Sequence, residues 1–299
     1  MSQKKTESLL NPAIARLLAA IFFFDLMGAI IKHLGEIYPV EQLSMLRNLF
    51  GLVPSLMLLY FSPVWHQAGK PILIRQWKLG LIRGGFLAVA QFCFYLSLIH
   101  MEFATASTLA FAGPIFVTLL SSPLLRQQVG LIRWLAVCMG FAGIVLVIRP
   151  EGDVFSWHAL LPVCAAFCYA SSSVTAPLFE ESISTPLLNL YTLAGALIGS
   201  AVLVAVSGGL VEVVSVRDWI WLASMGFLGS AGVFFMVSAY RLTEPSNLSP
   251  FEYFGIPFSF MLGWLFFAET PFSRLIPGVF LIIGGGFLII WRERSEKQF

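Results

Sequence analysis

The chain has 299 residues, of which 58% are hydrophobic and 11% charged, and its mean hydropathy is +0.85. Soluble domains carry about 25% charged residues, so no part of this chain has the polar surface that a soluble domain needs. Lysine and arginine total 18 against 16 acidic residues, with no basic tract. That excludes a nucleic-acid partner, and the composition predicts an all-α protein embedded in the lipid bilayer.

A membrane span requires about 20 mostly apolar residues. Runs of this kind fall, in order, at Pro12 to Ile31, Asn48 to Gly69, Gly84 to Met101, Phe103 to Leu125 and Trp134 to Ile148. They continue at Val154 to Phe179, Ser182 to Val211, Trp219 to Tyr240, Pro245 to Ala268 and Leu275 to Trp291. The pattern predicts ten transmembrane helices with short connections. Lysines precede the first run, as in a signal peptide. The run is long, however, is interrupted by Asp25 and lacks a clear small-residue cleavage site, so it reads as a retained helix.

An even number of crossings places both termini on one face. That face receives Lys4, Lys5, Arg16, Lys70, Arg75, Lys78, Arg126, Arg133, Arg241, Arg292, Arg294 and Lys297. The opposite face receives Lys32, Arg149, Arg217 and Arg274, while Arg47 and Arg83 lie close to or inside helices 2 and 3. The positive-inside rule therefore predicts cytoplasmic termini, and the expected location is a bacterial inner membrane.

Cys93, Cys138, Cys164 and Cys168 all lie in apolar stretches, without the spacing of a disulfide framework or a zinc site. Cys164 and Cys168 read as buried small hydrophobes. No metal or cofactor is expected. The four histidines are scattered along membrane edges and loops. Gly229-Ser230-Ala231-Gly232 matches a serine elbow only loosely, because the serine stands one position early and no helix-embedded histidine accompanies it. A phosphate-binding GxxxxGK[ST] loop is absent from the sequence, so neither an enzyme nor direct use of ATP is expected.

The two halves of the chain resemble each other. ATASTLAFAGPIFVTLLSS (104–122) is similar to TEPSNLSPFEYFGIPFSFM (243–261), and each is followed by a glycine-bearing last helix, GFAGIVLVIRP (140–150) or GGGFLIIWRER (284–294). AAIFFFDLMGAIIK (19–32) likewise parallels AAFCYASSSVTAPL (165–178). Five helices per half is an odd number, so the second copy enters the membrane upside down. Inverted repeats of this kind mark secondary transporters that share one central site between two halves. The expected units are 12–149, carrying helices 1–5, and 154–292, carrying helices 6–10.

On LAFAGPIFVTLLSSPLL and RWLAVCMGFAGIVLVIRP in the first half, the chain resembles the drug/metabolite transporter superfamily, and within it proteins with two EamA-type repeats. YRLTEPSNLSPFEYFGIPFSFMLGWLFFAETP and PGVFLIIGGGFLIIWRER in the second half match better still. The opening DLMGAIIKHLGEIYPVEQLSMLRNLF is similar to a branch that includes transporters of S-adenosylmethionine, riboflavin, amino acids, amines and carboxylates. The resemblance spans residues 12–292 and implies a carrier with its cavity between the halves, helices 1 and 9 standing in the core. One departure is clear. The family often has a Gly-Glu pair after helix 4, whereas this chain has Arg126-Gln127 there and keeps only Glu269 at the second-half counterpart.

A charge at a helix centre costs about 2.5–3.5 kcal/mol on insertion scales, so one that is retained faces a cavity or a partner. Asp25 lies inside helix 1, Lys32 follows on the same face near the outer end, and Arg47 opens helix 2 at that end. Glu252 lies in helix 9 between Phe251 and Tyr253. In one reading Asp25 and Glu252 bind a positive group or carry a coupling proton, while Lys32 and Arg47 attract a carboxylate or close a gate. In the other, Asp25 pairs with Lys32 or Arg47 and locks helix 1 to helix 2. Either way Lys32 and Arg47 are expected as gating or structural residues rather than direct ligands.

Pro114 and Pro257 occupy similar places in the two repeats, as hinges or static kinks. Phe111, Tyr169, Phe251, Tyr253 and Trp264 are candidate walls of a cavity that takes a cation or a ring, against ordinary helix packing. GLIRG (80–84), GALIG (195–199), Gly140, Gly143 and the 284–286 run mark close helix approach, inside the chain or across a homodimer. The expected substrate is a small organic metabolite, namely an amino acid, an amine or an S-adenosylmethionine-like solute. Riboflavin or another aromatic vitamin is the alternative, and a non-transporting membrane assembly component is the alternative of a different class.

Overall fold

The structure is a computed structural model that describes residues 3–125, 131–148, 157–175, 178–180, 183–240, 242, 251–252, 254–269 and 276–296. Among these residues all regular elements are helical. In chain order they are α1 (Gln3–Leu34), α2 (Val40–Tyr60), the short α3 (Pro63–Gln67), α4 (Trp77–His100), α5 (Phe103–Ala110) and α6 (Gly113–Leu125). There follow α7 (Leu131–Ile148), α8 (Leu160–Val174), which is entered through a 3-10 turn (Trp157–Ala159), then α9 (Thr185–Val206), α10 (Val216–Tyr240), α11 (Gly255–Phe267) and α12 (Gly278–Glu296).

Among the described residues, six stretches are long and apolar enough to cross a membrane: Pro12–Leu34, Val40–Tyr60, Trp77–His100, Trp157–Val174, Thr185–Val206 and Val216–Met236. Between 33% and 50% of each is buried inside the protein, so the rest of each apolar surface faces outward. A helix satisfies its own backbone polar groups, which lets such outward faces lie against hydrocarbon. Phe103–Val117, Cys138–Val147 and Gly255–Phe267 are shorter apolar helices.

Several expected helix limits move: helix 2 ends at Tyr60 instead of Gly69, and α4 begins at Trp77 instead of Gly84. α2 begins at Val40, not Asn48, and carries Arg47 inside it at 5% exposure. A charge-free window must stop at an arginine, whereas the helix continues because this guanidinium has a place in the interior. The expected single helix from Phe103 to Leu125 is divided. The Phe111 amide returns to the Ser107 carbonyl and closes α5, and the Ile115 amide bonds to the Ala112 carbonyl and opens α6. Pro114 thus lies in the first turn of α6, where a missing N–H costs least.

α1 packs on α10 and α11, α2 on α9 and α10, α4 on α8 and α9, α5 on α11, α6 on α8, and α7 on α12. Glycines set the closest of these approaches. On α4, Gly80 meets Tyr191 and Gly84 meets the α9 backbone at Thr192, Gly195 and Ala196. A Cβ on Gly195 would stand 2.5 Å from the Leu81 carbonyl oxygen. GLIRG and GALIG are therefore two sides of one intramolecular seam. Gly143 similarly meets Gly278 between α7 and α12, and Gly140 and Gly284 meet Ile115 and Met139.

Replacing Gly84 by leucine is expected to force α4 off α9. Overpacking costs about 1–3 kcal/mol, read as a lower melting temperature in detergent. Gly85→Leu, whose Cβ meets open space, should leave the melt unchanged. Equal melts for the two variants would contradict the seam.

Candidate functional site

Three elements meet where α1 ends. Lys32, in the last turn of α1, places Nζ 2.5 Å from Glu269 Oε1 and donates a second bond to the Met101 carbonyl at 2.8 Å. The other Glu269 oxygen, Oε2, accepts from the Phe103 amide at 2.6 Å, the first N–H of α5. A carboxylate is favoured there by the positive end of the helix dipole. The local sequence aims it. Ala268 ends α11 in the left-handed region (φ 53°), which turns the chain back on itself, and the Glu269 amide bonds to the Gly263 carbonyl at 3.1 Å. Gly263 leaves room for the carboxylate, since a Cβ at that position would lie 2.9 Å from Oε2. Lys32 also stands 5.2 Å over the Phe267 ring. The pair has side-chain exposures of only 13% and 11%. Lys32 is thus committed to Glu269, not to Asp25.

Asp25 lies two turns deeper on the same face of α1. It is 8% exposed, and its Oδ2 has no hydrogen-bond partner. Flanking residues fix its direction: Phe22 meets Phe258 of α11 edge-on, Phe23 stacks on Phe235 of α10, and Gly28 receives the Phe103 ring of α5. The carboxylate therefore points into the region that α1 shares with α5 and α11. On α5, the buried hydroxyls of Ser107 and Thr108 also lack partners.

Arg47 of α2 reaches α10. Its guanidinium lies flat on Gly229, where a Cβ would stand 2.5 Å from one terminal nitrogen, 2.7 Å from Nε and 2.9 Å from Cζ. One terminal nitrogen donates to Asn48 Oδ1 at 3.0 Å, while Nε is buried without a partner. Asn48 and Gln91 exchange bonds of 2.8 and 3.1 Å, and Ser44 donates to Gln91 at 2.8 Å, which ties α2 to α4. The Tyr95 hydroxyl of α4 is buried and unpartnered. Both Tyr95 and Tyr169 of α8 lie within the electrostatic reach of Arg47.

Sequence reasoning missed the surface on which this site is built. Gly226, Gly229 and Gly232 recur at every third position of α10 and receive Phe50, Arg47 and Phe24 respectively. The spacing is present in the sequence, in the same stretch as Ser230. The Ser230 hydroxyl donates to the Gly51 carbonyl at 3.0 Å and joins α10 to α2.

The other expected site residues are distributed more widely. Phe111, at the break between α5 and α6, presses its ring onto Gly255, the first residue of α11. Pro114 and Pro257 lie in the first turns of the segments after those two points. Phe251 stacks on Phe254 at a centroid distance of 6.3 Å and packs against a cluster of α1 and α10 residues. Glu252 is half-buried beside it. Trp264 is 67% exposed on the outside of α11. Tyr253 lies outside the described residues. Among the described residues no His, Cys, Asp and Glu group has metal-holding geometry.

Long apolar helices around buried, unpartnered charges define a multi-pass membrane protein. The EamA-like transporter family model matches residues 11–149 and again 156–291, and the chain belongs to that family. It is similar to a pseudopaline exporter of Pseudomonas aeruginosa, 26% identical over 280 residues that cover 92% of this chain and 94% of the relative. A riboflavin transporter of Brucella anthropi is 28% identical over 225 residues, 74% of this chain and 78% of its own length. An S-adenosylmethionine uptake transporter of Rickettsia felis is 24% identical over 277 residues, covering 89% and 88%. A solved crystal structure shares the fold with a TM-score of 0.62 at 18% identity, covering 98% of this chain and 99% of the other.

Proposed function

We propose that the chain is a secondary carrier of small organic metabolites, with ten crossings in two inverted five-helix repeats, 12–149 and 154–292. In this reading α1, α2, α4, the broken pair α5–α6 and α7 correspond to α8, α9, α10, α11 and α12. The packing supports it, because the exchange maps observed contacts onto observed contacts. α1 on α10 becomes α8 on α4, α4 on α9 becomes α10 on α2, and α6 on α8 becomes α11 on α1, while α2 on α9 and α7 on α12 map onto themselves. The two family matches along the chain support the same division. The location is a bacterial inner membrane with both termini cytoplasmic, which follows from the uneven distribution of Lys and Arg.

The site is the interior region between the repeats, reached in turn from either side. The observation that carries this reading is the set of buried, unpartnered charged atoms inside the membrane-length helices, Asp25 Oδ2, Arg47 Nε, and Nε with one terminal nitrogen of Arg83. Lys32–Glu269 closes the outer end by joining α1, α11 and α5. Substrates named for the relatives, pseudopaline, riboflavin and S-adenosylmethionine, indicate the class, and an amino acid, amine or S-adenosylmethionine-like solute fits a site that offers both charges.

Counterflow into proteoliposomes preloaded with each solute tests the carrier directly. Accumulation of label against the preload supports exchange, and no accumulation for any solute would overturn it. Glu252 is proposed to carry the coupling proton. Glu252→Gln should then bind substrate but lose the pH dependence of uptake, and an unchanged pH profile would remove that role.

A further inference from the structure

We infer that Arg47 is the anion anchor of the transport site and Asp25 its cation anchor, so that the substrate is a small solute bearing both an acidic and a basic group. The inference rests on the carrier reading and deepens it by assigning the two charges. Sequence alone placed Arg47 at a helix end, where an arginine can extend its head group to the interface. The structure places it otherwise, inside α2 at 5% exposure and directed across the bundle onto Gly229 of α10.

A buried arginine is held by a carboxylate or by a full set of acceptors, because its five N–H groups are costly to leave dry. Arg47 has neither. Asn48 Oδ1 takes one N–H, Nε has no partner, and the neighbouring Tyr95 hydroxyl is itself unpartnered. Asp25 is in the same condition with the opposite sign, 8% exposed with Oδ2 bare. Both are 90% or more buried, and neither forms an ion pair among the described residues. The acid that might have neutralised Arg47 and the base that might have neutralised Asp25 are otherwise engaged, since Lys32 and Glu269 hold each other.

The two residues are tied to α10 at neighbouring turns, Arg47 directly and Asp25 through the adjacent Phe24. Gly229 and Gly232 stand one turn apart on α10, about 4.5 Å along the axis. Arg47 lies on the first, and Phe24, adjacent to Asp25, lies on the second. A carboxylate accepting from Arg47 Nε and Tyr95, together with an ammonium or sulfonium facing Asp25 Oδ2, would satisfy each unpartnered atom. A solute with a single charge would leave the opposite one uncompensated. The missing side chain at Gly229 is what admits the guanidinium to this position.

The test compares matched probes on the purified full chain: each standard amino acid, its methyl ester, which keeps only the cation, and its deaminated acid, which keeps only the anion. Bound probes are read as a rise in melting temperature. Doubly charged probes are expected to give the largest shifts and the single-charge forms smaller but measurable ones. Arg47→Gln should weaken binding of the acids by about 10- to 100-fold, the scale of a lost hydrogen bond to a charged group, and leave the esters unchanged. Asp25→Asn should weaken the amines and leave the deaminated acids unchanged. A purely structural arginine would lower acids and esters together, and that result overturns the assignment. If Arg47→Gln does not fold, Arg47→Lys, which keeps the charge but loses the planar fork, must show the same selective loss for acids. A wild-type response led by single-charge or neutral probes also overturns the assignment. Absence of any doubly charged response, with counterflow of a flavin still measurable, overturns it too but leaves the carrier standing. Loss of counterflow for every solute removes the carrier and this inference together.

Discussion

Replacing Glu269 by alanine should destabilise the protein by about 3 kcal/mol, because Lys32 then remains buried without its counter-charge. The single Lys32→Ala change should cost a similar amount, leaving Glu269 with only the Phe103 amide. The double variant should cost clearly less than the two singles together, since it leaves no orphaned charge and the positions are coupled. Thermal melts of all four proteins in one detergent check this. Additive losses would mean that the two side chains are supported independently and that no latch exists. Glu269→Gln is informative as well. It keeps an oxygen for the Phe103 amide and should fall between wild type and alanine.

The second large effect runs the other way for stability. Asp25→Asn removes a carboxylate that has no partner on Oδ2, at a depth where an isolated charge costs about 2.5–3.5 kcal/mol. The melting temperature should rise while counterflow falls by at least an order of magnitude, the trade expected at a site whose strain serves function. A lower melting temperature would place Asp25 in the structural framework instead. Wild-type counterflow in the same variant would remove it from the transport site.

These expectations also show what the sequence could reveal. Membrane class and the approximate helices follow from hydropathy, and Asp25 stood out as a charge inside an apolar run. Its isolation did not, because whether an acid has a partner depends on every helix around it. Lys32 was visible as a helix-end cation, but Glu269 lies 237 positions away and reaches it only through the left-handed turn at Ala268. Local patterning carries no trace of such a pairing. Arg47 was misplaced for a related reason: a window that treats charge as a boundary ends helix 2 where the protein continues it, and the glycine that accommodates the guanidinium belongs to a helix much later in the chain. The GxxxG seams were legible as motifs. Their destination, one another, became clear only when α4 and α9 were seen side by side.

Among the described residues the latch sits at one end. In the proposed inverted-repeat reading, the positions equivalent to Lys32 and Glu269 are Leu178 and Gln127, neither of them charged. In that reading, opening the latched mouth breaks an ion pair and a helix-capping bond, with no equivalent charged pair in the sequence at the other. The two half-cycles are then expected to have unequal barriers, with the latched mouth shut as the favoured resting state of the empty protein. Final solute distribution cannot depend on this, because the state energies cancel around a closed cycle. What does depend on it is the half-saturating concentration measured from each face, together with the maximal rate in each direction. A carrier so built exchanges solute at equilibrium like a symmetric one, yet fills and empties a vesicle at different speeds.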